Sequence, residues 1–281
     1  MFGEKIKRVE DPALLRGKGR YLDDIHLPNM LYAAFVRSPF AHAKVTNINA
    51  MAALAANGVV AIYTLDDLRD FLTDTVMPVE QPSNALKLSA SPSVLADGEV
   101  RYVCEPIAMV IAETPYGAED AAALVDVSYD TLPVSSDYVA ALEDGAPKAN
   151  NELKDNNVAG FTLSYGDVDS AFADAAHIFR ETLHQHKGLG HAIECRGVAA
   201  RLNEHDGKLT VWSATQMAHR AQSILVELLD LPEDSIRVVT PNVGGGFGPK
   251  FVFYQEEVAI PIAAMRLSRP VKWVEDRREH F

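Results

Sequence analysis

The stretch "KLTVWSATQMAHRAQSILVELLDLPEDSIRVVTPNVGGGFGPKF", residues 208–251, decides the fold class. Residues 208–213 read as a strand, introduced by the hairpin turn signal Asp206-Gly207. Ala221, Ile224, Leu225, Leu228 and Leu229 then recur at the spacing of one helical face. Leu231-Pro232 stops that helix, and residues 235–240 form a β-branched strand. If the two strands are parallel, this is a βαβ unit, and ligands of such sheets sit beyond the carboxyl ends of the strands. Both connections leaving those ends would share one edge. One carries Gln216 and the other carries Gly244, Gly245, Gly246, Phe247 and Gly248.

Glycine loses more backbone freedom on folding than any other residue, so four in five positions imply a close approach to the backbone. An apolar helix is expected over 251–267, with Pro249 suited to its first turn. A helix N-terminus favours an anion, and bare glycine amides can reach one without a Cβ in the way. The common nucleotide signatures fail. A GxGxxG match would need glycine where Pro249 or Phe251 stands, and a P-loop would need Ser or Thr after Lys250. A loop that merely turns tightly remains open, although Phe247 in its middle suggests a wall for something flat.

Outside this unit the chain is ordinary in composition. At 281 residues it is long enough for about two domains. Its formal charge of −13, from 26 Lys and Arg against 39 Asp and Glu, opposes nonspecific nucleic-acid binding. No stretch approaches the ~20 apolar residues of a membrane span, and MFGEKIKRVEDP is too charged for the apolar core of a signal peptide. Cys104 and Cys195 make no CxxC motif or disulfide framework. A soluble, cytoplasmic, acidic protein is expected.

The first half reads as mixed α/β. Residues 1–30 look like a polar arm, 31–36 and 59–63 like strands around an alanine-rich helix at 50–56, and Thr64 like a helix cap. Residues 78–92 read as an exposed loop, 100–112 as strand, 116–124 as helix and 125–129 as strand. In the second half 178–184 and 196–202 also read as strands. The expected organisation is an α/β domain over 1–140 with its arm, a linker at 141–160, and a further incomplete α/β domain over 161–281.

Four separated motifs now combine: GGGFG with Pro249-Lys250, Thr215-Gln216, RSPFAHAKV at 37–45 and WVEDRREHF at 273–281. Together they resemble the molybdenum hydroxylases, the xanthine oxidase, aldehyde oxidase and carbon monoxide dehydrogenase family. The resemblance is to the amino-terminal part of the large molybdopterin-binding subunit. It implies a mixed α/β fold: a hammerhead domain followed by the start of a molybdopterin-binding α/β domain. It also implies a molybdopterin dinucleotide cofactor, with FAD and 2Fe-2S clusters on partner subunits. Gln216 would hydrogen-bond an oxo ligand of the metal, and the loop from Gly244 to Gly248 would line the cofactor. The implied reaction is hydroxylation of an electron-poor carbon: an aldehyde, carbon monoxide or an N-heterocycle.

The base glutamate of that reaction is expected outside this chain, on the remaining molybdopterin-domain polypeptide. The chain alone should therefore be inactive. Where purine hydroxylases carry a substrate-contacting glutamate this sequence has Phe251, which argues against a purine. The alternative is a catalytically silent remnant or assembly module of such a complex.

Other groups have blander readings. His184, His186, His191 and Cys195 include metal-ligand types but match no standard zinc spacing. By resemblance HAIECRG, residues 191–197, lies near the cofactor-domain pocket, where other members often carry EPRG, and Cys195 in place of proline is a mild departure. Cys104 is expected to be inert core, His219 a helix-surface residue, and Glu275 to Arg278 a solvated charge run. The apolar helix is expected to expose a patch near 251–267 for a partner or further domain.

Overall fold

The computed structural model describes residues 2–79, 83–186 and 188–280. In chain order its elements are α1 (Asp11–Leu14), β1 (Leu31–Arg37), β2 (Ala43–Asn49), α2 (Met51–Leu54), β3 (Val59–Tyr63) and α3 (Leu65–Leu68). Next come β4 (Glu99–Val100), β5 (Pro106–Ala112), α4 (Pro115–Ala122), β6 (Asp126–Thr131), α5 (Val168–Ala173), β7 (Gly197–Leu202) and β8 (Leu209–Ser213). The chain closes with α6 (Ala218–Leu229), β9 (Ile236–Val239), α7 (Glu256–Leu267) and β10 (Val271–Val274).

Seven strands make one sheet in the order β3-β5-β1-β10-β7-β8-β9, and β4-β2-β6 make a second. β8 and β9 run parallel, from Leu209↔Ile236 to Trp212↔Val239, so the strand–helix–strand stretch is a βαβ unit. β1 and β10 are also parallel, through Leu31↔Val271 and Tyr32↔Lys272. That pairing joins strands from the two halves of the chain into one continuous sheet.

Helix α6 buries the five residues of its predicted face, Ala221, Ile224, Leu225, Leu228 and Leu229. Burying each leucine contributes roughly 1.5–3 kcal/mol. Asp230 closes the helix in a left-handed conformation, φ 49°. Helix α7 packs against β7, β8 and β10. Every residue from Glu256 to Ala264 is buried, Pro261 included. The expected exposed apolar patch is therefore absent from this helix, because the chain's own sheet covers it. Phe251 and Val252, which precede it, are exposed, and Met265 and Leu267 at its end are partly buried.

Other expectations also change. Residues 178–184 form no strand; all of 161–186 lie exposed, with no neighbouring strand to satisfy their backbone groups. The single strand expected at 100–112 divides into β4 and β5, which belong to different sheets. Cys104 sits in the turn between them, half-buried at φ 71°, and is not core. Strands β2 and β10 lacked a periodic signal and were not foreseen. Of the loop expected at 78–92, residues 80–82 lie outside the described residues, and 83–87 and 89–90 are mostly exposed.

Candidate functional site

Parallel pairing of β8 and β9 brings the two connections together, as the βαβ geometry requires. The Gly248 N–H donates to Gln216 Oε1 at 3.3 Å. A Cβ on Gly246 would fall onto the Cδ and Oε1 atoms of Gln216, so only glycine permits this contact. Because Oε1 accepts from the backbone, the Gln216 amide is oriented with its NH₂ outward. Among the described residues that NH₂ group has no hydrogen-bond partner, and Gln216 is exposed. The edge thus presents a donor.

The loop adopts left-handed backbone at Gly245 (φ 102°), Phe247 (φ 54°) and Gly248 (φ 101°). For Phe247 this costs on the order of 1–3 kcal/mol, and the residue is 73% exposed. The expected helix does not begin at Pro249. Residues 247–251 form a turn, with Phe251 N–H donating to Gly248 O at 2.8 Å, and α7 starts at Glu256. The loop therefore does not run directly into a helix N-terminus, because α7 begins several residues further on.

A strip at 190–194 supports the loop; the resemblance set HAIECRG near the pocket but gave Glu194 no role. Gly190 lies under Phe247 and Ala192 against Gly245. Glu194 Oε2 accepts from Gly244 N at 2.7 Å and from Lys250 Nζ at 2.8 Å. The Lys250 carbonyl accepts from Gln216 N at 2.8 Å and from Thr215 Oγ1 at 3.3 Å. Arg277 donates to the carbonyls of Ala192 (2.6 Å) and Ile193 (2.9 Å), which anchors the strip from behind. These partners lie up to 85 residues apart, so their pairing is not written in local periodicity.

Below the loop, a cleft of about 810 Å³ is bordered by Pro249, Tyr254, Arg196, Arg37, Tyr102 and Cys104. Its floor is a buried ion network. Arg37 pairs with Glu256 at 2.8 Å and with Glu279 at 2.5 Å. Arg196 pairs with Glu275 at 2.5 Å and stacks on the Tyr254 ring at 3.9 Å. Burial opposes ionisation of Glu256 and Glu275, yet Arg196 holds both carboxyls below the usual range. His280 Nδ1 meets Glu275 at 2.8 Å. The run at 275–278 is thus not a solvated face as a whole, since Glu275 is 4% exposed. Asp276 and Arg278 alone pair at the surface.

Glu257, the neighbour of Glu256, accepts from Ser213 Oγ at 2.5 Å and from Tyr254 N at 2.9 Å. Burial pushes its carboxyl up to about 7, against the weaker opposing pull of these hydrogen bonds and of Arg196.

The histidine cluster does not assemble. His184 and His186 are exposed, and no group of three or more ligand-type side chains that could hold a metal occurs among the described residues. His191 lies 5.3 Å from the His280 ring. His219 is exposed on α6.

The structure thus joins a glycine loop and an exposed glutamine at one βαβ edge, the class of edge where α/β proteins take ligands. Comparison with known proteins specifies the family. The aldehyde oxidase and xanthine dehydrogenase a/b hammerhead domain matches residues 16–133, and the molybdopterin cofactor-binding domain matches residues 149–281. The nicotine 6-hydroxylase large subunit of Paenarthrobacter nicotinovorans is 37% identical over all of this chain and 34% of its own length. The carbon monoxide dehydrogenase large chain of Afipia carboxidovorans is 35% identical over all of this chain and 35% of its own. Among solved structures, CO dehydrogenase from Oligotropha carboxidovorans superposes with a TM-score of 0.89 at 35% identity, covering 99% of this chain and 35% of that one. Quinoline 2-oxidoreductase from Pseudomonas putida 86 gives 0.86 at 33%, with the same coverage.

The chain belongs to the molybdenum hydroxylase family and corresponds to the amino-terminal part of its large, molybdopterin-binding subunit. Its fold is the mixed α/β hammerhead domain followed by the start of the molybdopterin-binding domain. It spans about a third of the length of the curated relatives it matches.

Proposed function

We propose that this chain holds part of a molybdopterin dinucleotide cofactor at the edge formed by Gln216 and the loop from Gly244 to Gly248. The observation that carries this reading is the Gly248–Gln216 hydrogen bond. It turns the side-chain NH₂ outward as a donor for an oxo ligand. The residues present fit the group: Gly246 leaves room only for Gln216, and a Cβ at Gly248 would meet nothing within 4 Å, so its surroundings are open. When bound, the molybdenum supplies Lewis acidity and a two-electron sink. The chain itself supplies orientation and hydrogen-bond donors.

The substrate is an aldehyde, carbon monoxide or an N-heterocycle. Phe251 replaces the carboxylate that would hydrogen-bond a purine, which disfavours purines. The remaining molybdopterin-domain polypeptide contributes the base glutamate, and this chain is inactive without it. FAD and 2Fe-2S clusters on partner subunits accept the electrons. A cytoplasmic location belongs with this reading, in keeping with the free Cys104 and Cys195. We assign residues 1–140 to the hammerhead domain and its arm, 141–160 to a linker, and 161–281 to the cofactor domain.

The test is the metal and pterin content of the protein purified with its native partners. Stoichiometric molybdenum and pterin are expected. Gln216→Ala should retain the pterin and lower turnover about a hundredfold, the scale of losing one preorganised donor. Wild-type protein without pterin would leave the assembly-module alternative standing.

A further inference from the structure

We propose that Glu194 is a positioning residue that sets the geometry of the glycine loop by binding both of its ends. This inference rests on the reading of the loop as the cofactor edge. A single carboxylate oxygen, Glu194 Oε2, takes hydrogen bonds from the first amide of the loop, Gly244 N (2.7 Å), and from the side chain that closes it, Lys250 Nζ (2.8 Å). Oε1 accepts from Leu22 N at 3.3 Å, which ties the carboxylate to the amino-terminal arm. The backbone is fastened as well, since Glu194 N donates to Gly244 O at 3.3 Å.

The clamp reaches Gln216 through one residue. Lys250 is held at its ammonium by Glu194, while its carbonyl receives the Gln216 N–H and the Thr215 hydroxyl. The carboxylate therefore sets where the loop closes relative to the glutamine, and the Gly248–Gln216 contact follows from that spacing. Burial makes the pair exacting. The Lys250 side chain is 1% exposed and that of Glu194 16%, so neither charge has water as an adequate substitute. A Cβ on Gly244 would fall 2.5 Å from the Glu194 Cβ, so the first glycine is required by the clamp itself. This explains one glycine of the run without reference to any ligand.

The experiment compares wild-type protein, Glu194→Gln, Glu194→Ala and the exchanged pair Glu194→Lys with Lys250→Glu, each purified with native partners. Hydrogen–deuterium exchange over residues 241–251 is read beside pterin content and thermal midpoint. Glu194→Ala should raise exchange at the loop about ten- to a hundredfold, the equivalent of losing charge-assisted hydrogen bonds. Peptides from β8 and α6 should not change. Glu194→Gln keeps an acceptor for Gly244 N and should restore most of the protection.

The exchanged pair restores opposite charges but places an ammonium against the Gly244 N–H. It should recover the midpoint without recovering loop protection, a split that a purely stabilising ion pair would not produce. Unchanged loop exchange in Glu194→Ala, or full loop protection in the exchanged pair, overturns the assignment. If Glu194→Ala fails to fold, the comparison of Glu194→Gln with the exchanged pair still decides. A loop that loosens as stated in protein whose wild type carries no pterin would uphold the clamp and defeat the cofactor reading.

Discussion

Phe247 is an exposed residue on left-handed backbone, a conformation that asparagine or glycine would adopt at less cost. Nothing in the core requires its ring. Gly246, its neighbour, is constrained by contact, because an added Cβ would collide with the Gln216 side chain. Gly197 is constrained differently. There a Cβ would approach the Trp273 carbonyl to 3.0 Å as well as the Leu22 side chain, inside the packed sheet. The two alanine substitutions should therefore separate. Gly246→Ala should displace a flexible, exposed glutamine, cost at most about 1.5 kcal/mol in urea unfolding and reduce pterin content. Gly197→Ala should cost about 1–3 kcal/mol by overpacking. Equal stability losses in the two variants would refute this division. The glycine run and Gln216 were legible as a pair because their spacing is local to one βαβ unit. The stretch holding Glu194 was recognised by resemblance but its pairing was not, since its partners Gly244 and Lys250 lie 50 and 56 residues away.

At the scale of the element, α7 carries two adjacent glutamates into the core with opposite fates. Glu256 faces two guanidiniums and stays ionised, whereas Glu257 faces a serine hydroxyl and a backbone amide. Burial raises the Glu257 carboxyl from an ordinary 4.5 to about 7. A raised folded value means that the folded protein keeps a proton which the unfolded chain releases above its ordinary value. The corresponding stability is complete below about 4.5 and is lost as pH rises through about 7. Urea unfolding at pH 5 and pH 8 should show wild type losing up to about 3 kcal/mol relative to Glu257→Gln, which cannot ionise. Parallel pH profiles for the two proteins would show that Glu257 is ionised in the fold. The sequence pattern of α7 announced burial on all sides. It did not reveal that the cover comes from β7, β8 and β10, because strand order is not written in helical periodicity.

Across the whole molecule, the β1–β10 pairing places strands from both matched family domains in one sheet. Arg37, at the end of β1, reinforces the junction through Glu256 and Glu279. Unfolding should therefore be a single transition. Fluorescence of Trp212 and Trp273, both in the second half, should coincide in urea with the far-ultraviolet signal of the full chain. Two resolved transitions would show that the halves fold independently.

Local pattern by itself determined the βαβ unit, the buried face of α6, most strands and the meeting of Gln216 with the glycine loop. Those features depend on periodicity and on neighbours close in sequence, which a single chain displays. Only the tertiary structure decided the joining of β1 to β10, the absence of a strand at 178–184, the burial of Glu275 and the carboxylate beneath the loop. Each of these depends on which distant surface supplies a hydrogen-bond partner or excludes water. A residue's own neighbourhood in sequence carries no record of that surface.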